Sequence, residues 1–431
     1  MKISRDSFRF PWLVCLFLSF AHERPILILS SMDRINPRLF DVMVFLGVVF
    51  VLPGLKKNTQ LLPSLFIIWS TIVGAFTFFA IFYSLFLLPV EYAKYSLFFA
   101  GKYLEGLLAI YIALQIPLTP AKKRVLHWMI VIGGVYVAAY CLVGGGTGAG
   151  RIEIAPGKYV TYFNKVLTGP LGYNYLHLAQ FSSLCAVFAI SILSRKSFSR
   201  KWLLVGVACF IAWPLLYSGS RSGLVLLALG VITLFCLSRS LRRSVLPALV
   251  FVVGFSLLMF ASSYEKISSE STTLSRFSSA EGGHNSVVSR LGVSSSFSLE
   301  RYKWGSIMPV VGGGFYVAPT IHGNVDKYRV GYGTHNTYLF AFEQGGIVVF
   351  VLFLFFLYSS FSRLFMVRKY GTPIDKEFAS AVLAYLAASL VVFMVGQTFW
   401  QGFGSVNFNT FIVLIVMFAS RSTSVSKMGY S

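Results

Sequence analysis

The sequence predicts an all-α polytopic membrane protein of about twelve transmembrane helices, with one large outer loop between the ninth and tenth spans. Composition gives the first reason: 56% of the 431 residues are hydrophobic, 12% are charged, and the mean hydropathy is +0.72. A soluble domain carries about 25% charged residues. Apolar runs near the roughly 20 residues that cross a hydrocarbon core recur from end to end. They are continuous rather than alternating, which selects helices over a barrel.

The spans are expected at Phe8–Phe20, Leu39–Leu55, Leu62–Phe82, Tyr95–Ile116, Val125–Val143, Asn174–Ser194, Lys201–Tyr217, Ser222–Leu237, Leu246–Ala261, Thr337–Tyr358, Glu377–Val395 and Val406–Phe418. The first has a basic start and a short apolar core but no small-residue cleavage site, so it reads as a signal anchor. With a cytoplasmic N-terminus, every second short loop is a basic cluster, as the positive-inside rule requires. These clusters are Lys56-Lys57, Lys122-Lys123-Arg124, Arg195-Lys196 with Arg200-Lys201, Arg239 with Arg242-Arg243, and Arg363 with Arg368-Lys369. Arg421 and Lys427 then place the C-terminus inside as well.

Residues 1–431 form a single integral membrane domain with two long outer loops, 144–173 and 262–336. Within the larger loop, 262–298 is serine-rich and has the composition of a flexible segment. The part from 299 to 336 is expected to be ordered. There the spacing of Leu299, Tyr302, Trp304 and Ile307 fits a short amphipathic helix, and Gly312-Gly313-Gly314 a tight turn. No internal repeat is visible, which counts against transporter folds built from duplicated halves.

A formal charge of +22 would point to nucleic acid in a soluble protein. Here the inner loops and their anionic headgroups account for most of it, and no nucleic-acid partner is implied. The outer surplus is different. Lys266, Arg276, Arg290, Arg301, Lys303, Lys327 and Arg329 face Glu265, Glu270, Glu281, Glu300 and Asp326, while Arg151, Lys158 and Lys165 face Glu153 alone. Positive charge outside opposes the topological bias, so an anionic, lipid-borne substrate is implied there. The five cysteines all fall in predicted spans and make neither a disulfide framework nor a metal set. No Asp-x-Asp, metal-ligand spacing, Walker A run or dinucleotide fingerprint is present, so neither metal nor cofactor is expected.

Three residues are singled out. Arg221, inside Ser218-Gly219-Ser220-Arg221-Ser222-Gly223, sits in a very short outer connection, with Ser220 and Ser222 flanking it. An arginine so near hydrocarbon either snorkels to the interface or faces a cavity or anion, and small neighbours permit close approach of a phosphate. Arg301 precedes Trp304 on the expected loop helix; Arg290 competes with it, and spacing does not separate them. His335 opens an apolar run, and Asn336 and Thr337 are placed to cap the following helix. A neutral imidazole suits proton removal near pH 7, although a cap-region histidine is the plainer reading. His177, at the outer end of a span, is a candidate for the same cavity. Lys102 and Glu105, one turn apart within a span, read as a local ion pair.

Taken together, Ser218 to Gly223, Arg301-Tyr302-Lys303-Trp304 with the glycine turn, and His335-Asn336-Thr337-Tyr338-Leu339 running to Glu343-Gln344-Gly345-Gly346 resemble the O-antigen ligase and O-antigen polymerase superfamily. The resemblance covers about Asn174 to Tyr358. It implies a bacterial inner-membrane enzyme, with both termini cytoplasmic and a periplasmic active site. The donor it implies is an undecaprenyl diphosphate-linked glycan. The acceptor is a sugar hydroxyl on lipid A–core or on another lipid-linked repeat, and other polysaccharide-assembly membrane proteins are possible partners. By the same resemblance Arg221 and Arg301 hold the diphosphate and His335 activates the acceptor. At Val349 the chain departs from the glycine, threonine or tyrosine usual in ligases, which favours polymerase over ligase. The alternative from another class is a flippase or exporter of the same lipid-linked oligosaccharide.

Overall fold

The computed structural model describes residues 5–24, 26, 37–54, 64–86, 90–143, 147–155, 158–171, 175–193, 201–218, 220–238, 241, 310, 318–319, 328–329, 336–394 and 405–421. Among these are eleven α-helices: α1 (Arg5–Ser19), α2 (Leu39–Leu46), α3 (Ser64–Phe86), α4 (Val90–Leu114), α5 (Pro120–Leu142), α6 (Tyr175–Ile192), α7 (Lys201–Ala212), α8 (Arg221–Leu237), α9 (Thr337–Tyr370), α10 (Pro373–Phe393) and α11 (Ser405–Ala419). Five segments are long and apolar enough to cross a membrane: Ser64–Phe86, Ser96–Leu114, Pro120–Leu142, Gly345–Tyr370 and Pro373–Phe393. The other six helices are shorter but apolar. The chain is a helical membrane protein. The expected span Leu246–Ala261 and almost all of the loop 262–336 lie outside the described residues.

The outer segment expected as a plain loop contains an antiparallel hairpin, β1 (Thr147–Ala155) with β2 (Lys158–Leu167). A second, two-residue pairing joins β3 (Ala318–Pro319) to β4 (Tyr328–Arg329). The expected all-α class therefore holds for the bundle and not for these two connections, where backbone groups outside the helices pair with each other.

The span expected at Thr337–Tyr358 is displaced. α9 runs on to Tyr370, and Gly346 breaks it with φ 65° and ψ −169°. That conformation is open to glycine and strained for any side chain. The membrane-length part therefore begins at Gly345, and the residues from Thr337 up to the break form a separate short helical piece. α10 likewise starts earlier than expected, at Pro373, because Thr372 caps it and Asp375 returns the bond to the Thr372 amide and hydroxyl.

α6 lies at the centre: Leu178 to Leu193 are buried without exception. A helix apolar on all sides belongs in an interior. Its neighbours reach it through small residues. A Cβ at Gly223 of α8 would lie 2.5 Å from Ala179 Cβ, and one at Gly230 would lie 2.8 Å from Val187 Cγ2. On the α5 side, a Cβ at Gly134 would lie 2.5 Å from Cys185 Cβ. The rising pairs 179/223 and 187/230 make α6 and α8 parallel neighbours. Large apolar side chains on the rim, among them Phe45, Phe78, Phe86 and Phe355, are exposed, as expected of a lipid-facing surface.

These contacts set two ends. At one, Ser183 Oγ donates to Gly223 O (2.8 Å), Leu167 N donates to Tyr217 O (3.1 Å), and Glu23 N donates to Pro170 O (2.9 Å). At the other, Lys123 Nζ lies 2.6 Å from Asp375 Oδ1 and also donates to Arg421 O, while Arg421 Nη1 donates to Leu114 O (2.7 Å). Lys102, within α4, pairs with Glu105 at 2.8 Å, as its spacing suggests, and also with Asp41 of α2 at 2.6 Å. Gly230→Leu is expected to destabilise the protein by about 1–3 kcal/mol, because neither Val187 nor α10 behind it has room for the side chain. The check is the thermal midpoint of purified protein in detergent; an unchanged midpoint would show that this close approach does not hold α6 to α8.

Candidate functional site

α8 starts at Arg221 because the preceding serines fold a turn. Ser218 Oγ donates to Leu215 O (3.0 Å) and accepts from Ser220 N (3.2 Å). Ser220 then caps α8, accepting from Gly223 N at 3.3 Å, and its hydroxyl meets that of Ser222 at 3.1 Å. Arg221 is half-buried at the first position of the helix. A cation there sits against the positive end of the helix dipole, which costs about 0.3–1 kcal/mol at an exposed site. Helix stability does not favour an arginine at this position, and a helix start of this kind is suited to an anion.

Asn336 precedes α9, and its Oδ1 accepts from Tyr338 N (2.9 Å) and Leu339 N (3.1 Å), the capping role its sequence position suggests. Tyr338 Oη reaches Leu390 O at 3.2 Å, near the C-terminal end of α10. Since α10 packs against α8 with Ala384 beside Gly230, that end of α10 lies level with the start of α8. The beginnings of α8 and α9 therefore share one end of the bundle. His335, Arg301, Arg290 and Trp304 lie outside the described residues.

His177 occupies the same end but a different side of α6. It is two residues from Ala179, which touches Gly223, and two residues rotate a side chain by about 200° around a helix. It faces the connection between α1 and α2 instead, where His177 Nδ1 lies 3.7 Å from Glu23 Oε2 and Arg38 Nη1 lies 3.9 Å from the same oxygen. Gln180, one turn along α6, adds an amide. Glu23 is held there by its own backbone: Glu23 N and Arg24 N both donate to Pro170 O, and Arg24 Nε donates to Gly169 O at 3.1 Å. Gly169 makes that turn with φ 61°, a left-handed conformation suited to glycine.

This group is buried and unsatisfied. Glu23, His177 and Gln180 are 4%, 1% and 2% exposed. Among the described residues, Glu23 Oε2, both His177 ring nitrogens, both Gln180 amide atoms and Arg38 Nε have no hydrogen-bond partner. Buried polar atoms are paired in the great majority of cases, and an unmet one costs about 1–3 kcal/mol. Six such atoms fall on Glu23, Arg38, His177 and Gln180, which makes this group a candidate polar site. Burial pushes the Glu23 carboxyl up to about 8, against the opposing pull of Arg38 and with a smaller push from Asp41. Near neutral pH it is therefore largely protonated, and its contact with His177 is not an ion pair.

The sequence reading named His177 and missed Glu23, Arg38 and Gln180. A signal was available, since Glu23-Arg24 and Arg38 with Asp41 concentrate charge in one short connection between two apolar helices. Nothing in their spacing connects them to Gln180.

No family model matches the chain, and no curated protein matches it. One chain of a solved structure, described as "Structural coordination of polymerization and crosslinking by a peptidoglycan synthase complex", aligns with 83% of this chain and 98% of its own, at 16% identity and a TM-score of 0.42. A TM-score of that size does not establish a shared fold.

Glu23 has a folded-state pKa above its ordinary value of 4.5, so the folded protein holds this proton more tightly than the unfolded chain does. The stability it contributes is complete below about pH 4.5 and is lost as pH rises through about 8. The thermal midpoint of the purified protein is expected to fall between about pH 5 and 8, and Glu23→Gln to flatten that fall. Identical pH curves for the two proteins would contradict the assignment.

Proposed function

We propose that the chain is a metal-independent membrane glycosyltransferase of the O-antigen ligase and polymerase type. It moves a glycan from an undecaprenyl diphosphate carrier to an acceptor sugar hydroxyl at the outer, periplasmic face of a bacterial inner membrane. The observation that supports this most is the shared bundle end. It gathers the serine-rich turn with Arg221, the capped start of α9 directly after His335 in sequence, and the buried orphaned group around Glu23 and His177.

In this reading the acceptor hydroxyl gives its proton to His335 while its oxygen attacks the donor's anomeric carbon. The bond from that carbon to the diphosphate oxygen breaks, and the lipid diphosphate departs with the bonding pair. Arg221 and Arg301 hold the charge that develops on it. Attack opposite the leaving group inverts the anomeric centre. The Glu23, His177 and Gln180 group offers donors and acceptors together, which suits sugar hydroxyls better than phosphate, because a phosphate oxygen only accepts.

One observation favours a second reading, a flippase or exporter of the same lipid-linked oligosaccharide. Lys102 and Glu105, within the candidate span Ser96–Leu114 of α4, form a charged triad with Asp41 of α2. Intramembrane charges commonly mark a translocation path.

Arg221→Ala, Arg301→Ala and His335→Ala are each expected to lower glycan transfer by about 10²–10³-fold, with the protein still inserted in the membrane. The assay is transfer by purified protein from a lipid-linked donor, alongside the surface polysaccharide of cells lacking the gene and complemented with each variant. Long chains stranded on the carrier lipid identify a ligase, and single repeats capping lipid A–core identify a polymerase. Lipid-linked oligosaccharide retained at the inner face identifies the transporter. Full activity in His335→Ala removes the proposed base.

A further inference from the structure

At the end of the bundle opposite the Ser220 turn, a cleft of about 670 Å³ opens between α6, α8, α9 and α10. It has two unlike walls. Arg368 and Lys369, from the last turn of α9, and Lys376, from the first turns of α10, bring three cations to it. Leu234, Leu237 and Leu241 with Phe365 and Met366 make an apolar wall. Hydroxyls of Ser191, Ser238 and Ser380 border the polar side.

The polar side is braced from within. His127 Nδ1 lies 3.1 Å from Glu377 Oε1, and its Nε2 is 3.0 Å from Ser191 Oγ, so the one carboxylate in the lining is engaged by an imidazole behind it. Arg368 donates to Leu237 O, the last residue of α8, which fixes the guanidinium at the rim. Lys369 and Lys376 are exposed. Among the described residues the lining holds three cations against one carboxylate.

We infer that this cleft is a binding site for an anionic phospholipid, with its phosphate against Arg368, Lys369 and Lys376 and an acyl chain along Leu234, Leu237 and Phe365. A free phosphate would use the cations and leave the apolar wall idle; a neutral lipid would use the wall and leave the cations idle. A lipid with a net negative headgroup uses both, and basic pockets between helices at an inner membrane face take such headgroups. The inference does not rest on the proposed transfer reaction, whose residues lie at the other end.

The test is native mass spectrometry of the full-length chain purified in detergent, with added dioleoylphosphatidylglycerol, dioleoylphosphatidylcholine or inorganic phosphate. The wild type should retain phosphatidylglycerol in preference to phosphatidylcholine. Lys369→Glu with Lys376→Glu should weaken that retention about tenfold or more, and Lys369→Arg with Lys376→Arg should preserve it. Should the charge reversal prevent folding, Lys369→Gln with Lys376→Gln at the same exposed positions is read in its place. Equal retention of the two lipids, undiminished retention in the charge-altered protein, or displacement of the lipid by phosphate alone would each overturn the site.

Discussion

The architecture depends on how closely α5 and α8 can approach α6. In a membrane, lipid tails are as apolar as leucine, so helices are not driven together by leaving water; they associate through packing and hydrogen bonds. Gly134, Gly223 and Gly230 supply that packing, since each stands where a methyl group would collide with Cys185, Ala179 or Val187. Because the contacts at 223 and 230 rise together with 179 and 187, α6 and α8 run the same way. Their first turns, and the residues those turns carry, are delivered to one end of the bundle.

That end and its opposite treat polar groups differently. At the Lys123 end, Lys123 pairs with Asp375 and donates to Arg421 O, and His127 lies beside Glu377 and Ser191. Breaking one member of such a set leaves an uncompensated buried charge, which costs about 3–5 kcal/mol. At the Ser220 end, Glu23, His177 and Gln180 are buried, and polar atoms on them and on half-buried Arg38 have no hydrogen-bond partner among the described residues.

Much of this was legible from composition and pattern. Eleven of the expected helices correspond to helices in the described residues, because a run of apolar residues in lipid must close its own backbone hydrogen bonds. The cap by Asn336 and the Lys102–Glu105 pair followed from spacing of two or three residues along a single helix. The start of α10 was missed by four residues, because Thr372, Pro373 and Asp375 read as polar loop until their capping box is seen. The kink at Gly346 was also missed, since two adjacent glycines in an apolar run do not announce which of them leaves the helical region.

The sequence by itself determined the class of molecule, the order and approximate limits of its helices, and the local caps, because each depends on neighbours within a turn or two. The tertiary structure alone decided that Asp41 joins Lys102 across 61 residues, that Glu23 meets His177 on the far side of α6 from Arg221, and that α8, α9 and α10 enclose a basic cleft. The reason is physical: a helix has several faces of similar hydropathy, and the face that turns inward is chosen by which partner fits against it.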